Sequence, residues 1–140
     1  MGILIDTGIW IGYFNKDDVK ASRSNEIVEE IQSGKYGAAW TTSFIVDEVY
    51  TFLERSLKNN ELAIDVLEII MGQKANLKPF VLVYEIIRAD CLSGLKLAKK
   101  YSDKRMSFTD LTSLVVIKKL GLSFIATYDG HFNGLIAKIE

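Results

Sequence analysis

The chain has 140 residues, 49% of them apolar and 25% charged, with a net charge of -1 at pH 7. That length buries roughly two-thirds of the surface of the unfolded form, enough for one ordinary core in one domain. The composition excludes a disordered or low-complexity chain, the charge gives no global pull toward nucleic acid, and no apolar run reaches the ~18 residues of a membrane span. Cys91 is the only cysteine, and the N-terminus lacks the basic flank and cleavage site of a signal peptide, so we expect a soluble, cytoplasmic protein without disulfides.

Ile3-Leu4-Ile5 is a short apolar run closed by Asp6 and Thr7, which reads as a buried parallel strand with a carboxylate at its carboxyl end. In open α/β sheets ligands bind outside that end. Thr7 can cap a short helix from Gly8 to Phe14, and a second helix runs from about Val19 to Ser33, with Ile27, Val28 and Ile31 on one face and Gly34 as its stop. Gly37 to Thr41 forms a small second strand. Thr42 or Ser43 caps a third helix from Phe44 to about Leu57, whose apolar stripe is Ile45, Val49, Phe52 and Leu53. Glu48 falls on this stripe, while its neighbour Asp47 turns away.

A fourth helix starts at Asn59 or Asn60 and runs through Met71, burying Ala63, Val66, Leu67 and Ile70. Pro79 to Val83 is the third strand, its proline tolerated at the first position. A fifth helix from Glu85 to Tyr101 turns Ile87, Cys91, Leu95 and Ala98 inward. Ser107 to Asp110 opens a sixth helix ending at Leu120-Gly121, with Leu111, Leu114, Val115 and Ile117 on its apolar side. Phe124 to Thr127 is a fourth buried strand with Asp129 just past its end, and Leu135 to Ile139 can add a short edge strand. Alternating strands and helices predict a three-layer α/β/α fold around a parallel sheet of four to five strands. No glycine-rich phosphate loop is present.

Asp6, Glu48, Asp110 and Asp129 thus point to one edge of the sheet, although Asp110 belongs to a helix that feeds a strand, and the rule does not place it there unaided. Each has a bland reading. Asp110 lies three residues after Ser107, as in a capping box; Asp129-Gly130 is a turn dipeptide; Asp6 can cap the next helix. Together, crowded carboxylates are stable mainly when a divalent cation neutralises them or some stay protonated. Oxygen-only ligands favour Mg²⁺ or Mn²⁺ and suit phosphodiester hydrolysis without a nucleophilic side chain. His131 reads as a surface or packing residue, and one Cys with one His argues against zinc.

The motifs Ile5-Asp6-Thr7, Thr42-Ser43-Phe44-Ile45-Val46-Asp47-Glu48-Val49, Ser107-Phe108-Thr109-Asp110 and Thr127-Tyr128-Asp129-Gly130-His131-Phe132, in this order, resemble the PIN domain family, in particular its small VapC-type toxin ribonucleases. The resemblance implies that Asp6, Glu48, Asp110 and Asp129 are metal-binding and catalytic acids, with Thr7 and Thr127 as hydroxyl neighbours. It also implies a central first strand, Mg²⁺- or Mn²⁺-dependent RNA cleavage leaving a 5′ phosphate and a 3′ hydroxyl, a homodimer, and a small antitoxin that blocks the groove. Asp103, in a loop, reads as solvated. Lys96, Lys99, Lys100, Lys104 and Arg105, with Lys118 and Lys119 on the next helix, are a solvated face or a phosphate-contacting flank. Two other readings remain open: a silent interaction module of the same fold, and a phosphomonoesterase or phosphotransferase with Asp6 as nucleophile, which lacks the usual D-x-D because position 8 is Gly8.

Overall fold

Ile3, Leu4 and Ile5 have no solvent exposure. Side chains alternate across a strand, so burial of three in succession means that both faces of β1 (Gly2–Ile5) are covered. The computed structural model, which describes residues 1–140, places β1 at the centre of a five-stranded, all-parallel sheet. β2 (Ala38–Thr42) and β4 (Phe124–Ala126) flank it, and β3 (Leu82–Tyr84) and β5 (Ala137–Ile139) form the edges, giving the order β3-β2-β1-β4-β5. The registers Leu4↔Trp40 and Leu4↔Ile125 align the carboxyl ends of the three central strands. The edge strand expected in the tail is present as β5, paired through Ile125↔Lys138.

Six helices cover the sheet: α1 (Thr7–Phe14), α2 (Ala21–Gln32), α3 (Ser43–Thr51), α4 (Asn60–Ile70), α5 (Arg88–Lys100) and α6 (Phe108–Leu120). The α/β architecture is therefore as the alternation of strands and helices predicts, and the central first strand is as the family resemblance implies. Asp90 near the start of α5 meets Lys119 near the end of α6, so the two run antiparallel as a hairpin. That hairpin returns the N-terminus of α6 to the carboxyl edge of the sheet, which places Asp110 where strand-helix alternation alone could not.

Several local expectations shift. α1 is capped by Asp6 rather than Thr7: Thr7 N donates to Asp6 Oδ1 at 2.8 Å, which leaves the Thr7 hydroxyl free. α2 begins at Ala21 because Lys20 N donates to Asp18 Oδ1 in a turn that leaves Val19 97% exposed. Beyond Thr51 the helix widens into a π turn over Phe52–Ser56, where Leu57 N donates to the carbonyl of Phe52. Phe52 N still donates to the Glu48 carbonyl as in an ordinary α turn, but the buried face is made by Ile45, Val46, Val49 and Leu53, so Phe52 lies at its edge with 38% exposure and leaves the predicted stripe.

β3 starts at Leu82, after Pro79, and α5 starts at Arg88. The buried residues of α5 are Asp90 and Gly94, whereas Ile87 and Leu95 face solvent. Polar chemistry displaces the apolar register here: Asp90 accepts from Ile87 N, the Tyr84 hydroxyl and Lys119 Nζ, at 3.1, 3.0 and 3.0 Å. Gly94 then lets α6 approach closely, since a Cβ there would lie 3.3 Å from both Phe108 and Thr112.

α1 and α2 also pack closely. A Cβ on Gly12 would come within 2.1 Å of Ser24 Oγ and 2.9 Å of its Cβ, in the interior. Gly12→Ala should therefore destabilise the fold by about 1–3 kcal/mol through overpacking, read as a lower denaturant midpoint at unchanged slope. An unchanged midpoint would show that the two helices part at little cost.

Candidate metal and nucleic-acid site

The sheet order makes β1 the switch point, since the chain moves outward to β2 on one side and to β4 on the other. Asp6 stands at the carboxyl end of that strand, 7% exposed. A cleft of about 460 Å³ opens over it, and Asp6, Glu48, Asp110 and Asp129 all line it. Residues from four separate stretches of sequence thus share one wall.

Each acid is held by a donor of its own. The Thr127 hydroxyl donates to Asp6 Oδ2 at 2.6 Å, and Thr127 Oγ1 in turn accepts from Asp129 N at 3.0 Å, tying the ends of β1 and β4 together. The freed Thr7 hydroxyl donates to Glu48 Oε1 at 2.7 Å, fixing the half-buried α3 carboxylate against the start of α1. Asp110 does form the capping box with Ser107: Ser107 N donates to Asp110 Oδ2 at 3.2 Å, and Asp110 N donates to Ser107 Oγ at 3.1 Å. The capping role and the place on the cleft coexist in one residue, because the N-terminus of α6 is itself at the cleft. Asp129 likewise keeps its turn role, with Oδ1 accepting from His131 N at 2.8 Å, while lining the cleft.

His131 is the residue that the sequence reading assigned elsewhere. A 3₁₀ turn over Gly130–Phe132 folds it back so that Nδ1 lies 2.8 Å from Asp129 Oδ1. Asp110, Asp129 and His131 then offer one ligand atom each within 4.8 Å of one another. The available signal was the Asp129-Gly130-His131 turn motif, which allows this contact once the turn closes as a 3₁₀ helix. Arg105, with a left-handed backbone at φ 51°, also lines the cleft. The rest of the basic run lies apart: Lys96, Lys118 and Lys119 edge a groove between α5 and α6. Asp103 is exposed, and Cys91 is half-buried on α5.

Burial pushes the Asp6 carboxyl from its ordinary 3.8 up to about 6, against the opposing hydrogen bonds from Thr127 and Thr7, with the charges of Asp110 and Glu48 adding to the rise. Asp110 is raised as well, first by burial and then by the charge of Asp129, while its hydrogen bonds to Ser107 oppose the change. Asp6 and Glu48 line the cleft outside the group formed by Asp110, Asp129 and His131, so the lining acids offer carboxylate oxygens beside one imidazole nitrogen. Each Asp6 oxygen spends one lone pair on a hydrogen bond, so acceptor capacity remains. Those features fit a hard divalent cation such as Mg²⁺ or Mn²⁺.

Because Asp6 binds its proton more tightly when folded, its ionisation removes stability as the pH rises from about 4 through about 6. The rise from 3.8 to about 6 corresponds to a cost on the order of 3 kcal/mol at neutral pH. In EDTA, Asp6→Asn should therefore raise the melting temperature by several degrees at pH 7.5 and leave it nearly unchanged at pH 4. Thermal denaturation at the two pH values checks this, and an equal difference at both would contradict a pH-dependent cost at Asp6.

Comparison with known proteins bears on the whole chain. A VapC ribonuclease from Archaeoglobus fulgidus is 33% identical over 134 residues, 95% of this chain and 80% of its own length. Among solved structures, Mycobacterium tuberculosis VapC20, described as a sarcin-ricin loop cleaving toxin, matches with a TM-score of 0.78 at 20% identity, over 95% of this chain and 94% of that one. FitAcB from Neisseria gonorrhoeae matches with a TM-score of 0.63 at 17% identity, over 99% of this chain and 96% of that one. Both structural matches bear on the fold alone. The family model for the PIN domain matches residues 3–136, and with the 33% identity to a VapC ribonuclease this establishes that the chain belongs to the PIN domain family.

Proposed function

We propose that this chain is a metal-dependent endoribonuclease, the toxin of a toxin–antitoxin pair, and that Asp6, Glu48, Asp110 and Asp129 form its active site. The observation that carries this reading is the shared cleft: four carboxylates at the switch point of the sheet, two of them buried and one of these, Asp6, with its pKa displaced to about 6. The relationship to a VapC ribonuclease supports RNA as the substrate. No helix is long and apolar enough to cross a membrane.

In this reading Asp6 and Asp110 are the principal ligands of Mg²⁺ or Mn²⁺, and Glu48 and Asp129 complete the set directly or through water. A bound divalent ion would lower the pKa of an attacking water and offset the charge that develops on the phosphate. The chain supplies the placement. Thr127 fixes Asp6, Thr7 fixes Glu48, and the capping box fixes Asp110, so the carboxylates need little reorganisation when substrate arrives. A carboxylate not engaged in ligation can orient the water and accept its proton. Cleavage would leave a 5′ phosphate and a 3′ hydroxyl, and binding would weaken as salt rises. A second copy of the chain and a small antitoxin are the protein partners that belong to this reading.

Purified chain incubated with total RNA should cleave it in Mg²⁺ or Mn²⁺ and not in EDTA. Asp6→Asn and Asp110→Asn should each lower the rate by roughly 100-fold or more. Equal cleavage in every tube would identify a contaminating nuclease, and no cleavage under any divalent condition would overturn the proposal.

A further inference from the structure

A second cavity, of about 440 Å³, adjoins the acid cleft and shares Thr7 and Glu48 with it. Its lining also includes Asp47, Thr51, Phe52 and Arg55. We propose that this cavity is a nucleotide subsite of the cleft, holding one base and one phosphate of single-stranded RNA beside the bond that is cut. The proposal rests on the nuclease reading above and specifies where its substrate lies.

Three features lead to this occupant. Phe52 is 38% exposed at the edge of the buried face of α3, and an aromatic ring that lines a cavity is a surface on which any base can stack. Arg55 is in the same π turn as Phe52. It forms no ion pair, although Asp47 and Glu48 line the same cavity. A guanidinium without a carboxylate partner in acidic surroundings is available to a phosphate, whose approach the acids would otherwise oppose. Continuity is the third feature: Glu48 belongs to both cavities, so a strand with one phosphate at the acids reaches Phe52 and Arg55 with its neighbouring nucleotide. Arg105 lines the acid cleft and is likewise without an ion pair, so each of the two joined cavities carries one such cation.

The test uses a fluorescein-labelled, mixed-sequence 12-nucleotide RNA, with Ca²⁺ in place of Mg²⁺ to suppress cleavage and anisotropy as the readout. Phe52→Ala should weaken binding about ten-fold or more, and Phe52→Trp should restore it. Arg55→Ala should weaken binding and reduce the slope of log affinity against log salt by about 0.7, while Arg55→Lys should keep the slope. In Mg²⁺ both alanine variants should raise KM for RNA cleavage by a similar factor with kcat within a few-fold of the parent. If the parent chain binds and cuts RNA and both alanine variants match it, the subsite is overturned and the nuclease reading stands. If Phe52→Ala or Arg55→Ala changes the oligomeric state in light scattering while RNA affinity is untouched, the face is a protein contact and the subsite is again overturned. A parent chain that neither binds nor cuts RNA overturns both.

Discussion

Four carboxylates on one cleft wall repel one another, and much of the surrounding structure answers that repulsion. Two unit charges about 5 Å apart, at an effective dielectric of about 20, oppose each other by about 3 kcal/mol. The fold does not relieve this by spreading the groups. It gives each acid a separate donor: a threonine hydroxyl for Asp6, another for Glu48, and backbone N–H groups of Ser107 and His131 for Asp110 and Asp129. Asp6, the most deeply buried of the four, keeps its proton up to about pH 6. A cleft of this kind is a place of stored electrostatic cost, and the divalent cation proposed for it would convert that cost into binding energy.

The scaffold holds the acids through its most rigid parts. Ile3 to Ile5 are fully buried on both faces, so Asp6 emerges from the most completely buried strand of the sheet. Thr127 bridges the tip of β1 to the tip of β4, because its hydroxyl donates to Asp6 and accepts from Asp129 N. Asp110 sits at the first turn of α6, anchored by its capping box, and α6 is pinned at its far end by Lys119 on Asp90. Burial alone would raise Asp90, but Ile87 N, Lys119 and Tyr84 together hold it below the usual carboxylate range, so it remains a charged strut between α5 and α6. Two buried acids on the same hairpin are thus treated oppositely: Asp90 has a cationic partner in place, and Asp110 faces other acids.

The buried first strand, the alternation of elements and the places of Asp6, Glu48 and Asp129 were legible because each rests on local pattern: an apolar triplet, helical spacing, and a carboxylate at a strand tip. The central position of β1 and the place of Asp110 came only with the family resemblance. The rest depended on facts that are not local. Ile87 and Leu95 have helical spacing, but the face of α5 is set by Asp90 meeting Tyr84 and Lys119, residues from two other elements. Phe52 is spaced like the stripe of α3, but the buried face includes Val46 and leaves Phe52 at its edge, which depends on what packs against the helix. His131 sits beside a turn motif, and only the closed 3₁₀ turn puts its ring on Asp129. The identity of the α1 cap was a contest between neighbours, Asp6 and Thr7. The carboxylate took the backbone N–H, and the freed hydroxyl became the support for Glu48.

Direct titration of Mn²⁺, followed by loss of the free-ion electron paramagnetic resonance signal at pH 7.5, tests most directly whether the four acids act as one cation-holding cleft. Saturable binding to the parent chain, weakened at least ~10-fold by Asp6→Asn and by Asp110→Asn alike, is the predicted result. Binding of equal strength in all three proteins, or none in the parent chain, would contradict it.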